Sequence, residues 1–216
     1  MTGKIFTGEI KARIIEVRFG LSGKVATVAK KAGDSVQKGN LLAALDRKIL
    51  QTELDKQLAD FEKTRADFEI FNLKQSGVLD DLTKYLKVEK QAQLNVSVKE
   101  VELAKARLDQ ADLFSPVEGT VIDESNITPG LYVTTSSNPF KILETASFWF
   151  EIKIEPEEIL TFVSSRHGEV NLPSINKRVA VDSRPFFSGE KDFLVRLDLS
   201  DKQGLFLGLE GEASFS

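Results

Sequence analysis

Cysteine is absent from the 216 residues and histidine occurs once. Disulfide scaffolds, closed zinc sites, iron–sulfur ligation and Cys–His nucleophilic pairs therefore lack their side chains, so no metal or thiol chemistry is expected; no cofactor site and no catalytic group are read in the motifs weighed below either, and no enzyme is expected. Long apolar runs are lacking as well: nothing approaches the roughly 18 consecutive apolar residues of a spanning helix. The opening MTGKIFTGEIKARII has no uninterrupted hydrophobic stretch of about 7 to 15 residues, so no targeting segment is read there. Two expectations follow, a cytoplasmic protein or a chain from which an export signal or anchor has been cut away. Charge of one sign is not in excess either. Lys and Arg total 29 against 33 Asp and Glu, a net charge of −4 with no block of like charges, so no nucleic-acid partner is expected.

What is present divides by periodicity. Residues 1–46 alternate short apolar pairs with glycine, as strands between turns do. From Arg47 to Asp112 a stretch of 66 residues holds no proline and one glycine and is rich in Leu, Lys, Glu, Gln and Ala, a helical composition. Strand and turn signals return from Leu113 to Leu143 and continue from Glu144 to Ser216, apart from a short helical piece near Glu155–Val163.

The helical stretch breaks at Gln75-Ser76-Gly77. In its first arm Leu54, Leu58, Phe61 and Phe68 lie on steps of four and three, with Arg65 and Asn72 in the polar slots of the same stripe. In the second arm Leu94, Val98, Val101 and Leu108 repeat the spacing, while Leu79, Leu82 and Leu86 form an offset group. This reads as a register slip of the stutter type near Asn95 and Ser97. Two narrow stripes joined by a short turn predict an antiparallel coiled-coil hairpin reaching roughly 40 to 45 Å.

An internal repeat flanks the hairpin. Gly23-Lys24-Val25, Gly33-Asp34-Ser35-Val36 and Leu41-Leu42 stand upstream. Gly119-Thr120-Val121, Gly130-Leu131-Tyr132-Val133, Phe140 and Ile142 stand downstream. Gly33 and Gly130 are expected to supply positive φ at tight turns, and Val25, Val36, Val121 and Val133 to point inward. Neither half can bury its apolar face alone, so the two are expected to pack as a pseudo-symmetric sandwich with the hairpin growing from the turn between them.

The segments Gly20-Leu21-Ser22-Gly23-Lys24-Val25, Gly33 to Asp46, and Ala111-Asp112-Leu113-Phe114-Ser115-Pro116-Val117-Glu118-Gly119-Thr120-Val121 closely resemble the split biotinyl/lipoyl-like domain of membrane fusion proteins, the periplasmic adaptor subunits of bacterial efflux and secretion systems. Phe148 to Ile159, Phe193 to Asp198 and Leu209 to Ala213 resemble that family's β-barrel module. The resemblance implies an elongated α+β chain: leading strands over 1–19 that the barrel can share, a split lipoyl-like β-sandwich over 20–46 plus 113–143, an α-helical hairpin over 47–112 and a β-barrel over 144–216. The chain departs from the family's pattern in two respects: no residues are left for the membrane-proximal domain usual in adaptors of proton-driven pumps, and the anchor or signal is missing from this stretch, so the chain reads as a fragment or a short adaptor.

The implied function is that of a periplasmic adaptor in the cell envelope, on the outer side of the inner membrane. It would link an inner-membrane transporter of RND or ABC type to other envelope components and assemble as a homo-oligomer. An outer-membrane channel is a further implied partner. The tip, however, offers Leu73 and Ser76 but not the arginine of the signature that channel-docking adaptors carry. The hairpin tip, Gln75, Ser76, Gly77, Val78, Leu79 and Asp80, is the candidate partner-binding site.

Rival readings attach to single residues. A biotin or lipoyl carrier would present a modified lysine at the exposed turn, where Lys48 stands, but Lys48 opens the helical stretch. A coiled-coil structural protein without a transport role would have no reason to keep the duplicated half-motif. His167, in Ser164-Ser165-Arg166-His167-Gly168, is read as a loop histidine with no orienting partner or oxyanion site in its local sequence. Glu155, Glu157 and Glu158 suit the start of a short helix, where the dipole favours acids. Gly20 to Gly23 lacks the spacing of a phosphate loop.

Overall fold

The computed structural model describes residues 4–74, 80–136, 139–162, 166–185 and 193–215. The first repeat unit contributes β2 (Ile14–Val17), β3 (Gly23–Val28), β4 (Ser35–Val36) and β5 (Leu41–Leu45). The second contributes β6 (Asp112–Phe114), β7 (Gly119–Asp123), β8 (Tyr132–Val133) and β9 (Phe140–Glu144). They form two four-stranded sheets, in the orders β2-β9-β7-β4 and β6-β5-β3-β8. Each sheet therefore takes its two outer strands from one unit and its two central strands from the other.

This exchange is tied by matched bonds. Gly33 N–H donates to Val121 O at 2.8 Å, and Gly130 N–H donates to Val25 O at 2.8 Å. Val121 N–H returns a bond to Asp34 O at 3.0 Å, and Val25 N–H one to Leu131 O at 2.8 Å. Gly33 and Gly130 adopt φ of +95° and +91°, the left-handed region in which a Cβ is penalised. Val25, Val36, Val121 and Val133 are buried in one cluster with Phe19, Leu42, Phe140 and Ile142. Because β2 pairs with β9 from Ile14↔Leu143 to Val17↔Phe140, the sandwich takes in residues ahead of Gly20.

The second body is a closed barrel in the order β1-β10-β13-β12-β11-β14. Its strands are β1 (Ile5–Lys11), β10 (Trp149–Ile154), β11 (His167–Leu172), β12 (Lys177–Pro185), β13 (Phe193–Leu199) and β14 (Glu210–Phe215). A closed sheet leaves no edge strand to recruit another chain, which suits a module that must stay separate from the sandwich. A short 3-10 helix, Pro156–Phe162, delivers the fully buried Phe162 to one end of the barrel. Its ring meets Phe6 and Phe215 edge-on, at 5.4 and 5.1 Å between centroids.

Between β5 and β6 the chain leaves the sandwich as α1 (Lys48–Lys74) and returns as α2 (Asp81–Asp109). At about 1.5 Å per residue these 27 and 29 residues span about 40 and 44 Å. The partly buried stripe of α1 runs Leu54, Gln57, Phe61, Thr64, Phe68 and Phe71. It thus uses Gln57 and Thr64 rather than Leu58 and Arg65, both of which are exposed.

On α2 the stripe is Thr83, Lys90, Leu94, Ser97, Val101, Ala104 and Leu108, on steps of three, four and seven without a slip. The expected stutter is therefore corrected. The heptad continues through the half-buried Thr83 and Lys90, and Leu82 and Leu86 are left facing solvent. Ser97 is accommodated because it is small and its hydroxyl donates to Leu94 O at 2.8 Å, one turn back.

Two outcomes test the strand exchange. A Cβ at Gly119 would lie 2.1 Å from Leu143 O, whereas at Gly33 it would meet nothing within 4 Å. Gly119→Ala should therefore cost well over the ~1–2 kcal/mol of backbone strain expected for Gly33→Ala, as measured by urea denaturation. Replacing residues 48–109 by a short Gly/Ser turn should leave the sandwich folded with cooperative unfolding, because β5 and β6 already pair. Loss of folded β signal on excision would show that the helices hold the sandwich together.

Candidate functional site: the projecting hairpin and its base

The hairpin emerges from a closed gate. Leu45 N–H donates to Ala111 O at 2.8 Å, Asp46 N–H to Lys24 O at 2.7 Å, and the Arg47 guanidinium stands 3.3 Å from the Asp112 carboxylate. Asp46 Oδ1 accepts from Lys48 N–H at 3.0 Å, which satisfies one of the otherwise unpaired donors of the first turn. Lys48 is thus the first residue of α1 rather than the tip of an exposed β-turn. One turn further out, Arg107 of α2 meets Glu53 of α1 at 2.8 Å.

At the far end, Gln75, Ser76, Gly77, Val78 and Leu79 of the predicted tip lie outside the described residues. Asp80, the sixth, caps α2: its Oδ1 accepts from Thr83 N–H at 2.8 Å, with Asp81 in the first turn. The Thr83 hydroxyl, and after it the Thr83 backbone N–H, holds the Asp80 carboxyl below its ordinary value of 3.8. The side chain that reads as a partner contact is therefore occupied in starting the helix. Sequence reasoning missed a set of exposed apolar residues close to the tip, Leu73, Leu82, Tyr85 and Val88. Their spacing was available, but Leu82 was assigned to a seam and Leu73 was read only as part of the tip.

The angle of the base is set where the chain crosses twice between barrel and sandwich. Arg13 N–H donates to Ser147 Oγ at 2.7 Å, Ser147 Oγ donates to Glu144 O at 2.8 Å, and Glu144 N–H donates to Arg13 O at 3.0 Å. From the barrel side, Lys202 Nζ donates to Ala146 O at 2.6 Å and Gly208 N–H to Ile10 O at 2.8 Å. Leu143 and Phe148, on either side of the second crossing, are both in the barrel core. These bonds tie both crossings to one another.

The remaining candidates resolve into structural roles. His167 is not in a loop: it opens β11 opposite Asp182 of β12, and its Nδ1 lies against the Asp182 carboxylate. Glu158 accepts from Lys4 Nζ and from Glu155 N–H, the latter at 3.0 Å; first the lysine and then the backbone bond lower its pKa. Among the described residues no cluster of His, Asp or Glu has the arrangement of a metal site. No helix among them is long and apolar enough to cross a membrane.

Residues 13–144, more than half of the chain, match the model of the CzcB-like, barrel-sandwich hybrid domain. The chain belongs to that family. Its fold recurs at low sequence identity in solved structures. A MacA–MexA chimera carrying the Pseudomonas aeruginosa MexA α-hairpin domain superposes with a TM-score of 0.82 at 21% identity, covering 99% of this chain and 81% of the chimera. The membrane fusion protein Spr0693 of Streptococcus pneumoniae R6 gives 0.78 at 15% identity, covering 99% and 98%. A putative efflux transporter of Bacteroides eggerthii gives 0.70 at 15%, covering 98% and 68%. No curated protein matches by sequence. Solved structures described as a membrane fusion protein and as a periplasmic adaptor protein thus share this fold, the fold implied by the resemblance carried by the duplicated half-motif.

Because the folded pKa of Asp80 is depressed, its capping contribution is complete above the ordinary aspartate value and is lost as pH falls through the lower folded value. Amide exchange at Thr83 should accordingly quicken below pH 3.8 in the native chain. In Asp80→Asn, which caps without titrating, it should stay slow over the same range. Equal acid sensitivity in both chains would show that Asp80 does not start the helix.

Proposed function

We propose that this chain is a periplasmic adaptor that links an inner-membrane transporter to other parts of the cell envelope during export, and that it performs no catalysis. The observation that carries the reading is the mechanical layout: two helices of 27 and 29 residues stand out from a sandwich whose closing strands are exchanged between repeat units. A globular core does not require a rod about 40 Å long. A device that must hold two partners at a fixed separation does. The energy for transport comes from the partner transporter, and the adaptor contributes geometry. The barrel and sandwich sit at the base of the assembly, several copies gather around the export path, and the hairpin ends meet either a channel or neighbouring hairpins.

The relatives support the same direction, since Spr0693 is described as a membrane fusion protein and another structural neighbour, EmrA, as a periplasmic adaptor protein. The lysine reading finds less support, because Lys48 is committed to the first turn of α1.

Deleting the gene should abolish export of the substrate of the transporter encoded beside it, and the wild-type chain should restore it. A deletion without effect on export would remove the adaptor reading. Complementation with Gly77→Pro combined with Leu79→Asp should fail although the protein accumulates and unfolds normally. Full complementation by that variant would show that the tip is not the docking site.

A further inference from the structure

The barrel and the hairpin are attached to opposite ends of the sandwich. β2 begins at the crossing from the barrel, and the chain then reaches Gly20 beside Gln110 at the foot of α2. Within the barrel, β1 runs from Ile5 at the free end to Lys11 at the crossing, about 20 Å at the rise of a strand. The free end of the barrel is thus the part of the described molecule farthest from the hairpin tip.

A pocket of about 290 Å³ opens at that free end, lined by Lys4, Phe6, Glu157, Glu158, Arg166 and Phe215. Phe6 and Phe215 give it an apolar floor, their rings meeting edge-on at 5.8 Å, and the fully buried Phe162 packs against both. The charges divide into two sets. Lys4 donates to the Glu158 carboxylate, which also accepts from Glu155 N–H, so this pair is satisfied internally. Among the described residues the Arg166 guanidinium and the Glu157 carboxylate take part in no ion pair.

Both of these groups stand on fixed backbone. Arg166 N–H donates to Ser183 Oγ at 2.8 Å and its carbonyl accepts from Ser183 N–H at 2.9 Å, with Ser183 fully buried. Glu157 lies on the 3-10 helix that Phe162 anchors in the barrel. A pocket with one free cation, one free anion and an aromatic floor suits a bipolar ligand. Its anionic group would bond Arg166 and its ammonium group Glu157, each through a charge-assisted hydrogen bond. At roughly 30 Å³ for each water-sized group, the volume holds about ten non-hydrogen atoms. That is the scale of a phosphoethanolamine headgroup, not of a lipid with its chains.

We propose that this pocket takes the headgroup of a membrane phosphatidylethanolamine, so that the free end of the barrel rests on a lipid surface. Ile5, between Lys4 and Phe6 in the chain, is 59% exposed and gives the same end an apolar contact for the region below the headgroups. The net charge of −4 opposes general attraction to anionic lipid, so recognition rests on the bipolar pair and not on surface potential. The inference rests on the adaptor reading, which sets the barrel at the base beside the inner membrane, and adds to it the lipid the base would meet.

The 216-residue chain is floated with vesicles of phosphatidylcholine alone, or of phosphatidylcholine mixed equally with phosphatidylethanolamine or with phosphatidylglycerol. It should rise severalfold more with the phosphatidylethanolamine vesicles than with either of the others, and excess glycerophosphoethanolamine should displace it. Arg166→Glu combined with Glu157→Lys keeps the net charge and exchanges the two signs; it should lower flotation to the level of phosphatidylcholine alone. Glu157→Gln, a single change at an exposed position, should cause a severalfold loss while urea unfolding stays that of the wild type. Equal flotation with all three vesicles, or undiminished flotation of the exchanged chain, overturns the inference. Binding of glycerophosphoethanolamine without binding of any vesicle would make the pocket a site for a free zwitterion and overturn the lipid assignment. If flotation fails while deletion of the gene still abolishes export, only the headgroup assignment falls. If the gene is dispensable for export, the adaptor reading falls whatever the vesicles show.

Discussion

Exchange of strands between two copies of a four-strand unit is the constraint on which the rest of the molecule depends. Each unit contributes two strands to each sheet, so neither half has a complete sheet or a closed core until the other arrives. The matched bonds Gly33–Val121 and Gly130–Val25 stand at equivalent positions of the two halves. Closing the sandwich brings residues 45 and 111 into hydrogen-bonding contact. Everything between them can then grow outward without cost to the core. A helical pair inserted there meets only its own seam and a pinned base, and its length is free to be set by what it must reach.

Rigidity has to be maintained across two further joints for such a rod to be useful. One is the gate formed by Asp46, Arg47 and Asp112, which orients the first turn of α1. The other is the double crossing to the barrel, where Arg13, Glu144 and Ser147 bond to one another and Lys202 bonds to Ala146. Both joints use backbone groups tied by side chains at short range. Such ties are hard to open in part, so the orientation of the hairpin relative to the barrel is set by several bonds acting together.

The hairpin itself has a polar seam. Gln57 and Thr64 on α1 and Thr83, Lys90 and Ser97 on α2 interrupt the apolar positions. A pair of helices with so many polar seam positions gains only modest stability from its own contact.

Much of this organisation was legible in the amino-acid order because local rules produce it. The duplicated Gly-x-Val and Gly-x-x-Val spacings, the long stretch without proline and the single glycine within it specify two β units and a helical pair through backbone preference and periodicity. The seam of α2 was not legible. Leu82 and Leu86 have the composition of core residues and Thr83 and Lys90 do not, and only the position of α1 determines which of these neighbouring stripes is covered. His167 likewise reads as a loop residue until β12 brings Asp182 opposite it. The sequence by itself determined the kinds of element, their order and their lengths, since these follow from propensity and spacing along one chain. The tertiary structure decided which strands pair across the two repeats and which faces of the helices remain open, because those are set by contacts between residues far apart in sequence.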